Sequence, residues 1–350
     1  MRDVAIVSFA QATNVRKNRE LDDVGILQPV VAEAIERSGI KREDIGFTVS
    51  GSCDFLAGQP FSFVMALDAL GAWPPIQESH VEMDGAWALY EAYVRLQHGD
   101  IDSALVCSFG KSSPGDLPDV MVLQLDPYYV APLWPDSVSL AALQARALLD
   151  SNGYSERDLA EVAARNRRNA KQNPKAQVAG DFDVDALLAE DYIVSPLRKH
   201  DCPPISDGAA AIVLVTGDLA KKVCERPAWI RGIDHRIEAH ALGVRDLTTS
   251  PSTALAAQKA GVNGQIEIAE LHAPFTHQEL ILKQALGLGD SVSINPSGGA
   301  LAANPIMAAG LMRIGEAAQR LIDGEATHAL AHATSGPCLQ QNLVCVMEAA

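Results

Sequence analysis

The sequence predicts an α/β protein of two similar halves with a loop-rich and helical insertion between them. Three observations carry this. Short apolar runs alternate with longer helical patterns towards both ends of the chain. A shift of 225 residues brings matching positions of the two halves together. Residues 111–200 have another texture, rich in proline, aromatic and polar residues.

In the first half, strands are expected at Val4–Phe9, Ile45–Ser50, His80–Met83 and Ser103–Ser108, with helices over Gly25–Ser38 and Gly85–Gln97. In the second half, strands are expected at Ala228–Ile233, Ile268–His272, Ser291–Ile294, Ala329–Ala333 and Leu343–Met347. Helices are expected near Pro251–Ala260, Thr276–Leu286 and Asn304–Ile322. Strand–helix alternation of this kind gives mainly parallel sheets with helices on their faces. Under the shift, Gly85 falls on Gly310, Arg95 on Arg320, Leu96 on Leu321, Gly99 on Gly324, Ala104 on Ala329 and Leu105 on Leu330. Each stretch reads helix, glycine turn, acidic residue, buried strand, which is a structural duplication. The expected division is 1–110 with part of 200–225 as the first half, 111–200 as the insertion, and 226–350 as the second half.

The insertion opens with Lys111–Gly115 and then Leu125–Pro135, too rich in proline and aromatic residues for a central strand, and continues in a helical pattern from Ser137 to about Asn173. A long insertion between packed halves commonly covers a binding site. Its basic stretch Arg165–Lys171 is either a solvated helix face or a surface for phosphate groups.

Composition narrows the function. A formal charge of −16 argues against a nucleic-acid partner, whose binding relies on clustered Lys and Arg. It leaves room for a CoA-type ligand, which needs only a local basic patch or a helix N-terminus. The six cysteines are scattered without a CxxC pair and read as reduced thiols. The first apolar run is too short for a secretory segment, and nothing approaches a membrane span. A cytoplasmic protein with no metal site is expected.

Three segments carry a family resemblance. Asn295–Gly310 (NPSGGALAANPIMAAG) resembles the NxxGGAxxxGHPxGxxG loop-and-helix pattern of the thiolases. Leu271–Leu280 (LHAPFTHQEL) resembles the HDCFxxxEL segment of sterol-carrier-protein-type thiolases, and Asp201–Leu214 (DCPPISDGAAAIVL) resembles the CPxxDGAAAxxL strand. The resemblance to the SCP2-thiolase-like branch spans nearly the whole chain. It implies the doubled αβαβα fold, a homodimer, and coenzyme A bound as part of the substrate rather than as a cofactor. Local chemistry agrees: Gly298 and Gly299 allow close approach to the main chain, and Pro305 ahead of a helix would leave free N–H groups for an oxyanion.

Departures from the pattern bear on mechanism. Counting back from Gly85, the nucleophilic cysteine position holds Glu82. The GHP histidine corresponds to Asn304, and the cysteine of HDCF to Pro274. The CxG region reads His332 to Cys338. Thiolysis requires a thiolate and a second base. A retro-aldol reaction requires a base for the β-hydroxyl and donors for the thioester enolate. The catalytic candidates are accordingly His272, Glu82, Asp84, Asn304 and His332. Ser297, Gly298, Gly299, Phe275, His277 and Cys338 are candidates for substrate contact. Glu82 and Asp84 fit helix capping as well, and Cys338 fits a buried small residue.

The resemblance extends to cysteine-free members that cleave steroid side-chain CoA esters with a small zinc-ribbon and OB-fold partner. It therefore implies C–C bond cleavage of a β-hydroxyacyl-CoA. The alternatives are an acyltransferase with a displaced nucleophile such as Cys338, and a non-catalytic subunit supporting an active partner.

Overall fold

The apolar runs become strands and the stretches between them helices, over residues 2–151 and 153–349, which the computed structural model describes. The first part contributes β1 (Val4–Gln11), α1 (Asp23–Ser38), β2 (Phe47–Gly51), α2 (Asp54–Ala57), α3 (Phe63–Leu70), β3 (Glu78–Val81), α4 (Gly85–His98) and β4 (Ser103–Lys111). The insertion holds α5 (Leu117–Val122), α6 (Ser137–Ser151), α7 (Glu156–Asn169), α8 (Val184–Leu188) and a hairpin of β5 (Tyr192–Val194) and β6 (Leu197–Arg198). There follow β7 (Asp207–Thr216), α9 (Gly217–Val223), β8 (Ala228–Ile237), α10 (Pro251–Ala260), β9 (Ile268–Leu271), α11 (Thr276–Ala285), β10 (Ser293–Ile294), α12 (Ala309–Ile322), β11 (His328–Ser335) and β12 (Gln341–Ala349).

The duplication is explicit in the strand order, β10-β9-β11-β12-β8-β1-β7-β4-β2-β3. Read outward from the β8–β1 seam, the two arms match strand for strand. β2 runs parallel to β3 and β4, as β9 does to β10 and β11. The closing strands β7 and β12 are antiparallel to both neighbours. At the seam only two residue pairs meet, Ala5 with Trp229 and Ile6 with Ala228. β7 is buried along its whole length, as its run of Ala, Ile and Val requires of a strand paired on both sides.

Packing explains how so short a seam holds. One apolar cluster joins α4 and α12 to the inner faces of both arms, including Phe9, Leu89, Leu96, Leu311, Met312 and Ile314. A second cluster packs α1 and α3 on the outer face of the first arm, and a third packs α10 and α11 on the second. The result is five layers, helix–sheet–helix–sheet–helix. Each Leu, Ile or Phe so buried contributes about 1.5–3 kcal/mol, and most of that in the central layer is shared between the halves. The matched glycines sit where the central helices start against each other. A Cβ on Gly85 would stand 2.6 Å from Ser108 Cβ, and one on Gly310 would stand 2.5 Å from Asp84 Oδ1.

Most ends shift by a few residues, and the differences that bear on the site are these. The strand expected at His80–Met83 runs Glu78–Val81, so Glu82 and Met83 lie in the turn before α4. The helix expected from Asn304 begins at Ala309. Met307 takes a positive φ of 79°, and its carbonyl accepts the Gly85 N–H at 2.8 Å and the Ser108 hydroxyl. Residues 304–308 are therefore a turn reaching across to α4. The pattern from Ser137 to Asn173 divides into α6 and α7, the second starting at a Ser155–Asp158 capping box.

Candidate active site

A cavity of about 330 Å³ opens at the edge of the second arm. It is lined by segments that follow β9 (His272–Phe275) and β8 (His240), by the β11–β12 turn, and by the turn at Asn304–Met307. The insertion adds Leu117, Met121, Leu140 and Ala141, so it covers the site as expected. Most of the lining is apolar, with a few polar groups to fix orientation, as a small-molecule site requires. The titratable side chains that line it are Asp84, His240, His272 and Cys338.

His272 and Asn304 form one unit. The Thr334 N–H donates to His272 Nδ1 at 3.4 Å, which places the ring proton on Nε2. Nε2–H in turn donates to Asn304 Oδ1 at 3.1 Å. Burial holds the imidazole neutral, pushing its pKa down to about 3. The amide of Asn304 is thus oriented by the histidine. Its Nδ2 has no hydrogen-bond partner among the described residues, on a side chain that lines the cavity. The donor the site offers is Asn304 Nδ2 rather than His272, whose N–H is engaged.

Asp84 also reaches the cavity, in a different state. It is buried, and its carboxylate accepts three backbone N–H groups, from Ala86 at 2.8 Å, Gly310 at 2.9 Å and Leu311 at 3.0 Å. It therefore caps α4 and α12 together. Burial outweighs these donors and raises its pKa to about 6. The free N–H groups expected ahead of α12 are not available to a substrate oxyanion, because Asp84 takes them. Glu82 lies outside the cavity: it is exposed, and Oε1 accepts the Asp54 N–H at 2.6 Å at the start of α2. The strand's early end at Val81 puts it in the turn, where it binds a neighbouring loop.

Of the expected contact residues, Phe275 and Cys338 line the cavity. Cys338 is a buried thiol that donates to the Leu140 carbonyl at 3.4 Å, and burial pushes its pKa up to about 11. It holds little thiolate at neutral pH. The glycine loop does not line the cavity. Ser297 is buried in a cluster with Glu270 and Arg313, its hydroxyl donating to Glu270 at 2.7 Å. Gly298 backs onto Ala170 of the insertion, 2.6 Å from where its Cβ would stand, and Gly299 onto Asn295. These residues fix the loop that aims Asn304. His277 is buried against Gln144 of α6 at 3.1 Å, and His332 against Asn342 at 3.0 Å, both away from the cavity. His332 contributes through its carbonyl, which accepts the His272 N–H at 3.1 Å. Charges of the basic stretch are largely committed: Arg165 pairs with Glu279, Arg168 and Lys171 with Asp181, and Arg167 is buried over the Phe182 ring.

No protein-family model matches the chain. Over 93% of its length it is 27% identical to the acetyl-CoA acetyltransferase of Methanothermobacter thermautotrophicus, covering 94% of that protein. It is 25% identical to sterol carrier protein 2 of Homo sapiens over 69% of the chain, a match that spans 52% of that protein. Its structure superimposes on the Ltp2-ChsH2(DUF35) aldolase with a TM-score of 0.83 at 20% identity, covering 99% of this chain and 98% of that one. The fold is thiolase/SCP2-like.

Of the residues expected at reacting positions, Glu82 is exposed outside the cavity, Asn304 presents an amide to it, and Cys338 is a buried thiol in its wall. Sequence reasoning missed His240, which no motif marks. It enters the site because β8 ends beside the β11–β12 turn. No helix among the described residues is long and apolar enough to cross a membrane.

Proposed function

We propose that this chain cleaves the Cα–Cβ bond of a β-hydroxyacyl-CoA by a retro-aldol reaction. The observation that carries the reading is the Asn304 amide, oriented by His272 and presenting Nδ2 in an apolar cavity that holds no activated thiol. When the bond breaks, its electron pair moves onto the thioester, and negative charge develops on the carbonyl oxygen. A fixed donor there stabilises that charge without reorganising. No acyl-enzyme is required, which agrees with Glu82 at the nucleophile position. Likeness to an aldolase in fold and to acyl-CoA enzymes in sequence supports the same reading. The bulky apolar lining suits a large acyl group such as a steroid side chain.

An acyltransferase using Cys338 is the second reading, favoured by its place in the cavity wall and disfavoured by its raised pKa. The homodimer implied by the resemblance would form at β3, the outermost strand of the first arm, and a small zinc-ribbon/OB-fold partner would complete the assembly in the cytoplasm.

The test is product analysis by mass spectrometry after incubating the chain, alone and with proteins that co-purify with it, with a panel of 3-hydroxyacyl-CoA esters. Cleavage to a carbonyl compound and a shortened acyl-CoA is the expected result. If no ester is cleaved under either condition, the lyase reading fails. If turnover occurs but stops on alkylation of Cys338, the acyltransferase reading replaces it.

A further inference from the structure

A retro-aldol site needs a proton acceptor as well as an oxyanion donor, and the cavity restricts the choice. Among its titratable lining residues, Cys338 is held as a thiol and His272 as a neutral imidazole with both nitrogens engaged. Asp84 has both carboxylate oxygens occupied by three backbone N–H groups and serves two helix ends. His240 remains. It is exposed at the cavity mouth, and its Nδ1 lies 3.5 Å from the side-chain amide of Gln340, which also lines the cavity. An amide presents oxygen or nitrogen and so accommodates either tautomer of the ring. Nε2 has no partner among the described residues.

The topology brings His240 to the same cavity as the Asn304 amide. β9, β11, β12 and β8 are successive neighbours, so His272 after β9 and His240 after β8 stand at one edge of the sheet. Three strand spacings, about 14 Å, separate the ends of β9 and β8 themselves, and the loop after β8 carries His240 on to the cavity. Both residues line the cavity. A substrate whose thioester oxygen meets Asn304 and whose β-hydroxyl meets His240 would lie across the cavity that both residues line.

From this arrangement we infer that His240 removes the proton of the substrate's β-hydroxyl, an assignment that rests on the lyase reading above. His240 Nε2 takes the hydroxyl proton, and the O–H electron pair forms the new C=O bond. The Cα–Cβ pair passes into the thioester enolate at Asn304. The imidazolium then returns the proton to Cα, giving a shortened acyl-CoA and a ketone or aldehyde. Atoms and electrons balance with no further reactant.

The test compares the full-length wild-type chain with His240→Ala and His240→Gln on the 3-hydroxyacyl-CoA that the wild type cleaves. Kinetics, thermal melting and added imidazole are the readouts. Loss of a general base lowers rates by about 10²–10⁴-fold. We expect that loss in kcat for both variants, with KM nearly unchanged, melting as in the wild type, and partial rescue of His240→Ala by imidazole. Variants that keep kcat within a few-fold of wild type overturn the assignment while leaving the lyase reading intact. So does a loss that appears in KM and is not rescued. If the wild type cleaves no ester, the lyase reading itself fails and the assignment falls with it.

Discussion

Helices α4 and α12 hold equivalent places in the two halves, and they begin in different ways. α4 has its own cap, Asp84, one residue ahead of its first turn. α12 has none: its N-cap position is Ala308, and the N–H groups of Gly310 and Leu311 are satisfied by Asp84 from the other half. One carboxylate closes both helix ends where the central layer meets the cavity. The junction of the two helices is filled by a carboxylate that binds backbone N–H groups of both. It is a structural joint, and the amide that faces the cavity without a hydrogen-bond partner for its Nδ2 among the described residues lies in the turn before α12, at Asn304.

The largest effect is expected at that joint. Asp84→Ala leaves three buried N–H groups without an acceptor and should cost on the order of 3 kcal/mol or more in urea unfolding. Asp84→Asn separates the charge from the cap. With a folded pKa raised from 3.8 to about 6, the carboxyl's contribution to stability is fully present below pH 3.8 and is lost as pH rises through 6. Wild-type stability should therefore fall relative to Asp84→Asn across that window, on the order of 2–3 kcal/mol. A difference that grows in the opposite direction would show that the three donors, and not burial, set the pKa.

Next in size is Asn304→Ala, which removes the proposed oxyanion donor and leaves the joint alone. Removal of such a donor lowers kcat by about 10²–10³-fold, and thermal melting should barely move. Equal losses of stability and rate would place Asn304 with Asp84 as a structural residue. The smallest effects belong to Cys338→Ala and Glu82→Gln. Each should change kcat/KM by less than about fivefold, under 1 kcal/mol. A larger drop at Cys338 alone would restore the thiol as a reacting group.

The fold was legible because its signals are local and repeated. The matching glycines at 85 and 310, the buried run at 209–215 and the strand–helix alternation each follow from short-range pattern. Asn304 and His272 were legible from motif position, and the structure joins them at 3.1 Å. Other residues misled because their roles are set across the fold. Glu82 occupies the nucleophile's place in the count, yet the strand's end at Val81 turns it outward. The pattern at 295–299 identifies the loop, but that loop packs on Ala170 and Glu270 rather than on the cavity. The basic stretch looks free in one dimension and is paired with Glu279 and Asp181 in three. His240 carries no local signal at all.

The shared cap also limits how symmetric such a duplicated chain can remain. The position equivalent to Asp84 in the second half is Ala309. Aspartate at both would aim two buried carboxylates at a single set of N–H groups, and like charges at that range force one to stay protonated. One carboxylate closing two helix ends thus requires positions 84 and 309 to differ.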